Sequence, residues 1–243
     1  MLSDQLRSAV VVWIVTALIF STAQAQAERP SQPSAAGILT DRLSAKQVET
    51  WRKIERIVFA LDAEGQILHP ALHDLWRRLE TSGHTIYIEV SESQNTSSYT
   101  AGVFRLERFD PAGRHHIAVI RLHLGVIDRA CVGPQAKRPG GFIPFEGLGK
   151  IDRYAEVLGH ELAHAADILL NLERARLVEE VIEQTRELVL SSRRRRDATF
   201  LIGAEINQRI NNRDSLLQAL ETYSEMMEAR VWRELRSGQQ TRK

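Results

Sequence analysis

The stretch Glu156-Val-Leu-Gly-His-Glu-Leu-Ala-His-Ala-Ala-Asp-Ile-Leu-Leu170 carries two histidines, His160 and His164, four residues apart. Between positions 157 and 166 Glu161 is the only charged residue, and small or apolar residues fill the other places. This pattern predicts a buried helix. Residues four apart lie about 40° apart around a helix. Both imidazoles therefore leave one face, where they can bind one metal ion together.

Glu161 follows the first histidine directly and lies about 100° further round the helix. That position places its carboxylate beside the metal's open coordination site, where it can act as a general base, and the spacing is typical of zinc hydrolases. The competing interpretation is an amphipathic helix whose polar stripe happens to be His160, His164 and Asp167. Two histidines and an acid facing a core would then need polar partners.

A catalytic zinc site needs a third protein ligand. A third histidine six residues after His164 is excluded, because Leu170 stands there and Asp167 stands where that pattern has glycine. A carboxylate from a later helix remains, and Glu221 and Glu225 share one helical face. Both stay candidates, against the interpretation that they belong to a solvated acidic stripe. Asp167 either accepts a hydrogen bond from a ligating histidine or is a plain surface acid.

The rest of the chain predicts an α+β fold, with N-terminal helices, a small, mostly antiparallel sheet, and C-terminal helices. Its predicted elements, in order, are an amphipathic helix over 43–61 capped by Ser44, a helix over 70–81, strands over 85–90, 102–109 and 117–124, a long irregular loop over 128–150, and helices over 151–170, to about 191, and over 214–235. Turn residues at 110–113 predict that the last two strands form an antiparallel hairpin. The strand over 117–124 is the candidate edge strand for pairing with a peptide.

Residues 1–27 have the layout of a secretory signal peptide, with an apolar run from Ala9 to Phe20. A helix of that run rises only about 18 Å, so no stable membrane span is expected after cleavage, although an uncleaved N-terminal anchor is the alternative. Residues 28–40 are expected to be a linker and 41–243 the folded domain, which would be secreted or periplasmic. Cys131 is the only cysteine, so an internal disulfide is excluded.

The chain of 243 residues has a net charge of +1 and 43% hydrophobic residues, which is typical of a globular protein. This balance gives the molecule no electrostatic attraction to nucleic acid. The four arginines at 193–196 are expected to form a solvated connection between helices.

His160-Glu161-Leu-Ala-His164, followed by Glu221-Thr-Tyr-Ser-Glu225, resembles the gluzincin class of zinc metallopeptidases. The resemblance to the thermolysin family implies that Glu221 is the third ligand and that Glu225 orients a ligating histidine, although Leu220 replaces the asparagine common there. Asp167 and the two glutamates are also similar to the anthrax lethal factor type, which again favours Glu221. The resemblance implies a zincin-like fold around the metal-binding helix.

The expected function is therefore that of an exported zinc metallopeptidase acting on peptides or proteins. Zn²⁺ would be held by His160, His164 and Glu221, and Glu161 would assist the attack of zinc-bound water. Asp167 and Glu225 would support the ligands. The alternatives are a non-catalytic, zinc-stabilised binding module of the cell envelope and a structural envelope protein without metal.

Overall fold

The computed structural model describes residues 36–92, 101–130, 144–193 and 214–241. The predicted signal peptide, Cys131 and the arginines at 194–196 lie outside these ranges. The elements follow in chain order as β1 (Gly37–Leu39), α1 (Ala45–Val58), α2 (Pro70–Glu80), β2 (Thr85–Ser91), β3 (Gly102–Arg108), β4 (Ile117–His123), α3 (Leu124–Ala130), α4 (Lys150–Leu169), α5 (Leu172–Arg193) and α6 (Asp214–Thr241). The described part of the chain is thus α+β, as predicted, with six helices and one four-stranded sheet.

The sheet is mixed, with strand order β1-β2-β4-β3. The predicted hairpin of β3 and β4 is confirmed as an antiparallel pair. The prediction of a mostly antiparallel sheet is wrong, because β1 with β2 and β2 with β4 pair in parallel. Parallel neighbours need a crossover connection, which α1 and α2 supply between β1 and β2. Strand periodicity in the sequence marks the strands and does not specify this pairing.

Strand β4 lies between β2 and β3, so the prediction that residues 117–124 form an edge strand is wrong. Its near-continuous run of branched apolar residues reflects this central position. Strand β3, the neighbour of β4, forms one edge of the sheet. Strand β1 forms the opposite edge and lies inside the predicted linker, so the folded body begins before the expected Asp41.

The two N-terminal helices begin where the sequence predicts. Ser44 caps α1 in a capping box with Gln47, in which each side chain accepts a hydrogen bond from the other residue's backbone N–H. Pro70 is the first residue of α2. The carboxylate of Glu234, from α6, accepts the backbone N–H of Ala71 at 2.9 Å and so satisfies a free donor at the start of α2.

Helix α3 and the residues around α4 replace parts of the predicted loop over 128–150. The Asp128 carboxylate accepts hydrogen bonds from the Tyr154 hydroxyl at 2.8 Å and from the Lys150 ammonium at 2.7 Å, which ties α3 to α4. The buried Glu156 accepts the Phe145 N–H at 3.0 Å and fixes the turn before α4. Residues 131–143 of that loop are not described.

Helix α4 lies at the centre of the protein, packed against α1, α2, α5, α6 and the sheet. Its apolar face joins a core that includes Trp51, Ile54, Leu72, Leu75, Leu79, Ile86, Ile88, Ile120, Leu158 and Leu162. Gly159 permits close approach of α6, since a Cβ there would lie 3.0 Å from a methyl of Val231. Among the described helices, none combines the length and apolarity that crossing a membrane requires.

Candidate metal centre

The two histidines of α4 meet Glu221 of α6 at one point. The Nε2 atoms of His160 and His164 are 3.1 Å apart. The Glu221 carboxylate oxygens lie 3.7 Å from the Nε2 of His164 and 3.9 Å from that of His160. Among the residues that the structure describes, these three form the one group of histidine, cysteine or acidic side chains that could hold a metal ion.

The spacing of these three groups fits a tetrahedral ion. Two nitrogens bound at about 2.05 Å with a tetrahedral angle are about 3.3 Å apart, close to the 3.1 Å between the imidazoles. The carboxylate is a few tenths of an ångström too distant and would have to move toward the rings. Two imidazoles and one carboxylate form a donor set that zinc accepts, and a fourth position would remain for water.

Each histidine ring has a hydrogen-bond partner at its other nitrogen, Nδ1. The Glu228 carboxylate lies 3.1 Å from the Nδ1 of His160, and the Ser224 hydroxyl lies 2.9 Å from the Nδ1 of His164. Both partners are buried on α6. Because α6 also carries Glu221, one helix contributes the third candidate ligand and a partner for each ring.

The region around His160 is rich in carboxylates. Burial alone lowers the pKa of His160, but the charge and hydrogen bond of Glu228, with the charges of Glu161 and Glu221, raise it to about 9. A site that holds a proton this strongly is electrostatically favourable to a cation. The amphipathic-helix alternative requires polar partners for the buried rings, and Glu228 and Ser224 are such partners. Glu221 adds a third group, which with the two rings could hold a cation.

Glu161 lies beside the edge strand β3. Gly102 makes room for it, because a Cβ at that position would lie 2.6 Å from a Glu161 carboxylate oxygen. The backbone N–H of Phe104 donates a hydrogen bond to the same carboxylate. Burial raises the pKa of Glu161, His160 and the Phe104 N–H lower it, and Glu221 and Glu228 raise it further, to about 7. A carboxyl with this pKa can both accept and return a proton near neutral pH.

Each ring Nδ1 has a partner other than Asp167 and Glu225, the two acids predicted to support the ligands. Asp167 faces Arg174, 3.9 Å away, and Glu225 is not part of the three-residue group. The Nδ1 of His160 contacts Glu228 and that of His164 contacts Ser224, and neither Asp167 nor Glu225 takes these places. The sequence could not choose among the third, fourth and seventh residues after Glu221, because all lie within about 60° of it on the helix. The way in which α6 packs across α4 determines which of these residues contact the two rings.

The histidines elsewhere in the described part of the chain lie outside this three-residue group. His69 precedes α2 and His73 lies within it. The His115 ring contacts the Gly83 carbonyl at 2.8 Å, and the His116 ring accepts the Asp110 N–H at 3.0 Å. Two polar side chains in the first turns of α4 are also engaged: the Tyr154 hydroxyl donates to Asp128, and the Arg153 guanidinium donates to the Leu148 carbonyl.

Comparisons with known proteins return no family model, no curated protein and no solved structure that matches this chain.

Proposed function

We propose that this protein is an exported zinc-dependent peptidase in which His160, His164 and Glu221 bind the metal. The observation that carries the proposal is Glu161, a buried carboxyl that adjoins the three-residue group without belonging to it and is held there by the Phe104 N–H and the space at Gly102. A zinc ion that served only to hold helices together would need no such acid beside it.

Zinc in this position would supply an activated water and polarise the carbonyl under attack. Glu161 accepts the proton of the attacking water and returns it to the leaving amine. The Phe104 N–H and the space at Gly102 hold its carboxylate for both transfers.

A peptide substrate is supported by the edge of β3. The Ala101 carbonyl accepts the His123 N–H at 2.9 Å and so points toward β4, whereas the Phe104 N–H points away from β4, to Glu161. Backbone groups alternate in direction along a strand. Since no described strand pairs with this outer side, an extended peptide adding there would pass directly in front of the general base.

The test uses the full chain purified without a polyhistidine tag. Zinc is measured by elemental analysis, and hydrolysis is followed with fluorescein-labelled casein. We expect about one zinc per chain, and cleavage that Glu161→Gln lowers by at least about 100-fold while zinc is retained. Glu64→Gln is the matched control, because that glutamate is exposed, lies between α1 and α2, and is outside the three-residue group.

Mass spectrometry of the casein fragments identifies the bond that is broken. Less than a tenth of an equivalent of zinc in the native protein would contradict the metal centre. Full zinc together with casein cleavage that Glu161→Gln leaves intact, or no cleavage at all, would favour the zinc-stabilised binding module.

A further inference from the structure

One face of α6 carries three functional groups in the order Glu221, Ser224, Glu228. Residues three and seven positions after Glu221 lie within about 60° of it around a helix. Ser224 is fully buried, and the Glu228 side chain is only 4% exposed. Buried polar groups at a helix interface are retained when they have a definite partner, and here the partners are the two rings of α4.

The hydrogen bonds of Ser224 assign the tautomer of His164. The Ser224 hydroxyl has one proton, and it donates that proton to the Leu220 carbonyl at 3.0 Å. Its oxygen must then accept a hydrogen bond from the Nδ1–H of His164, 2.9 Å away. A neutral ring with its proton on Nδ1 carries its lone pair on Nε2, the atom of His164 that faces His160 and Glu221.

Glu228 makes the same assignment for His160 by a different means. A carboxylate only accepts hydrogen bonds, so the Nδ1 of His160 is the donor in the 3.1 Å contact. With each Nδ1 bonded in this way, the Nε2 atoms of the two rings face one another at 3.1 Å. One cation, either a proton or a metal ion, can bridge two nitrogens at this separation.

We infer that Ser224 and Glu228 are positioning residues that hold both imidazoles in the orientation and tautomer needed for metal binding. The inference rests on the proposed metal centre and adds to it the different roles of these two residues of α6. Ser224 acts through a neutral hydrogen bond. Glu228 acts through a hydrogen bond and a negative charge, which makes His160 the more strongly donating ligand.

The experiment measures the affinity of the metal-free full chain for Zn²⁺ by competition with a chromophoric chelator, and the visible absorption of the Co²⁺ form. Ser224→Ala removes the hydroxyl, and Glu228→Gln keeps the shape and an acceptor oxygen but removes the charge. Each is expected to weaken Zn²⁺ binding by about 10- to 100-fold and to change the Co²⁺ spectrum. Glu225→Gln, the same substitution on the same helix, is the matched control and should stay within about threefold of the native affinity.

Near-UV circular dichroism of each metal-free variant shows whether its tertiary structure is intact. If Ser224→Ala unfolds, Ser224→Thr, which retains a hydroxyl, takes its place and should keep near-native affinity. Native affinity and an unchanged Co²⁺ spectrum in Glu228→Gln, or equal losses in Glu228→Gln and Glu225→Gln, would overturn the inference while leaving the metal centre standing. If the native chain binds neither ion, the proposed function fails first.

Discussion

Two pairs of histidine rings are in contact in the described part of this protein, and they differ in their pKa shifts and in the direction of their hydrogen bonds. The ring centres of His160 and His164 are 4.7 Å apart, and those of His84 and His116 are 4.8 Å apart. Among nearby carboxylates, the pKa of His160 is raised to about 9 despite burial. The pKa values of His84 and His116 are both lowered, chiefly by burial, with a further decrease from the neighbouring histidines.

The difference lies in what each Nδ1 does. In the His160–His164 pair, the assignment above makes Nδ1 the donor to Glu228 and Ser224, so the Nε2 of each ring faces the other ring and Glu221. In the second pair, Nδ1 accepts: the His116 N–H donates to His84 at 3.2 Å, and the Asp110 N–H donates to His116 at 3.0 Å. The other ring nitrogen then bears the proton, and in His84 that nitrogen donates to the Leu169 carbonyl. Rings of the second kind present no lone pair to a metal.

The largest expected consequence of this comparison is in metal content. His164→Ala should reduce bound zinc from about one equivalent to less than about a tenth, because two remaining ligands cannot hold the ion. His84→Asn, which keeps an acceptor for the His116 N–H, should leave the zinc content unchanged. The measurement is elemental analysis after removal of metal, reloading with Zn²⁺ and dialysis. Equal zinc loss in both variants would show that the two pairs do not differ as their hydrogen bonds indicate.

The sequence predicts the geometry of only those site residues that lie together on one helix, α4. His160, Glu161 and His164 are fixed relative to each other by helical geometry alone. Glu221 was predicted only as one of two candidates until the resemblance favoured it. Ser224 and Glu228 could not be predicted, since their role depends on how α6 crosses α4, and that depends on the close contact of Gly159 with Val231.

The fold shows the same limit. The capped start of α1 and the β3–β4 hairpin follow from local signals, namely Ser44 with Gln47 and the turn after Phe109. The place of β4 at the centre of the sheet follows from a long-range parallel pairing with β2. The sequence of β4 contains no local signal for that partner, and the gap at Gly102 for Glu161 is equally non-local.

A smaller effect is expected from substituting two glycines that permit close contacts near the candidate metal centre, Gly102 beside Glu161 and Gly159 beside Val231. Gly102→Ala introduces a Cβ 2.6 Å from the Glu161 carboxylate oxygen, so this carboxylate, the proposed general base, must move. We expect casein hydrolysis to fall by about 10- to 100-fold with zinc retained. Gly159→Ala instead presses on Val231, at a cost of about 1–3 kcal/mol, and should weaken zinc binding through displacement of α6. Kinetics and metal titration of both variants test this; zinc loss in Gly102→Ala and none in Gly159→Ala would reverse the assignment.

The smallest effect is on the pH dependence of stability, and the two pairs should act with opposite sign in the metal-free protein. A histidine with a raised folded pKa stabilises fully below its unfolded pKa of about 6.5, and this contribution is lost as pH rises toward 9. Rings with lowered folded pKa values keep the native state stable above about 6.5, and that stability is lost on acidification, because the unfolded chain takes up protons first.

Thermal unfolding midpoints measured against pH in the presence of a chelator should therefore decline on both sides of neutrality. Glu161→Gln serves as the background, because the raised pKa of Glu161 makes its own contribution fall between about pH 4.5 and 7. Adding His160→Gln should flatten the alkaline side, and adding His116→Asn, which retains an acceptor for the Asp110 N–H, should flatten the acidic side. Each change should amount to about 2–4 °C per kcal/mol of altered stability. If the acidic side is equally steep with His116→Asn, the His84–His116 pair does not titrate on unfolding. The contrast between the two pairs would then rest on His160 and His164 alone.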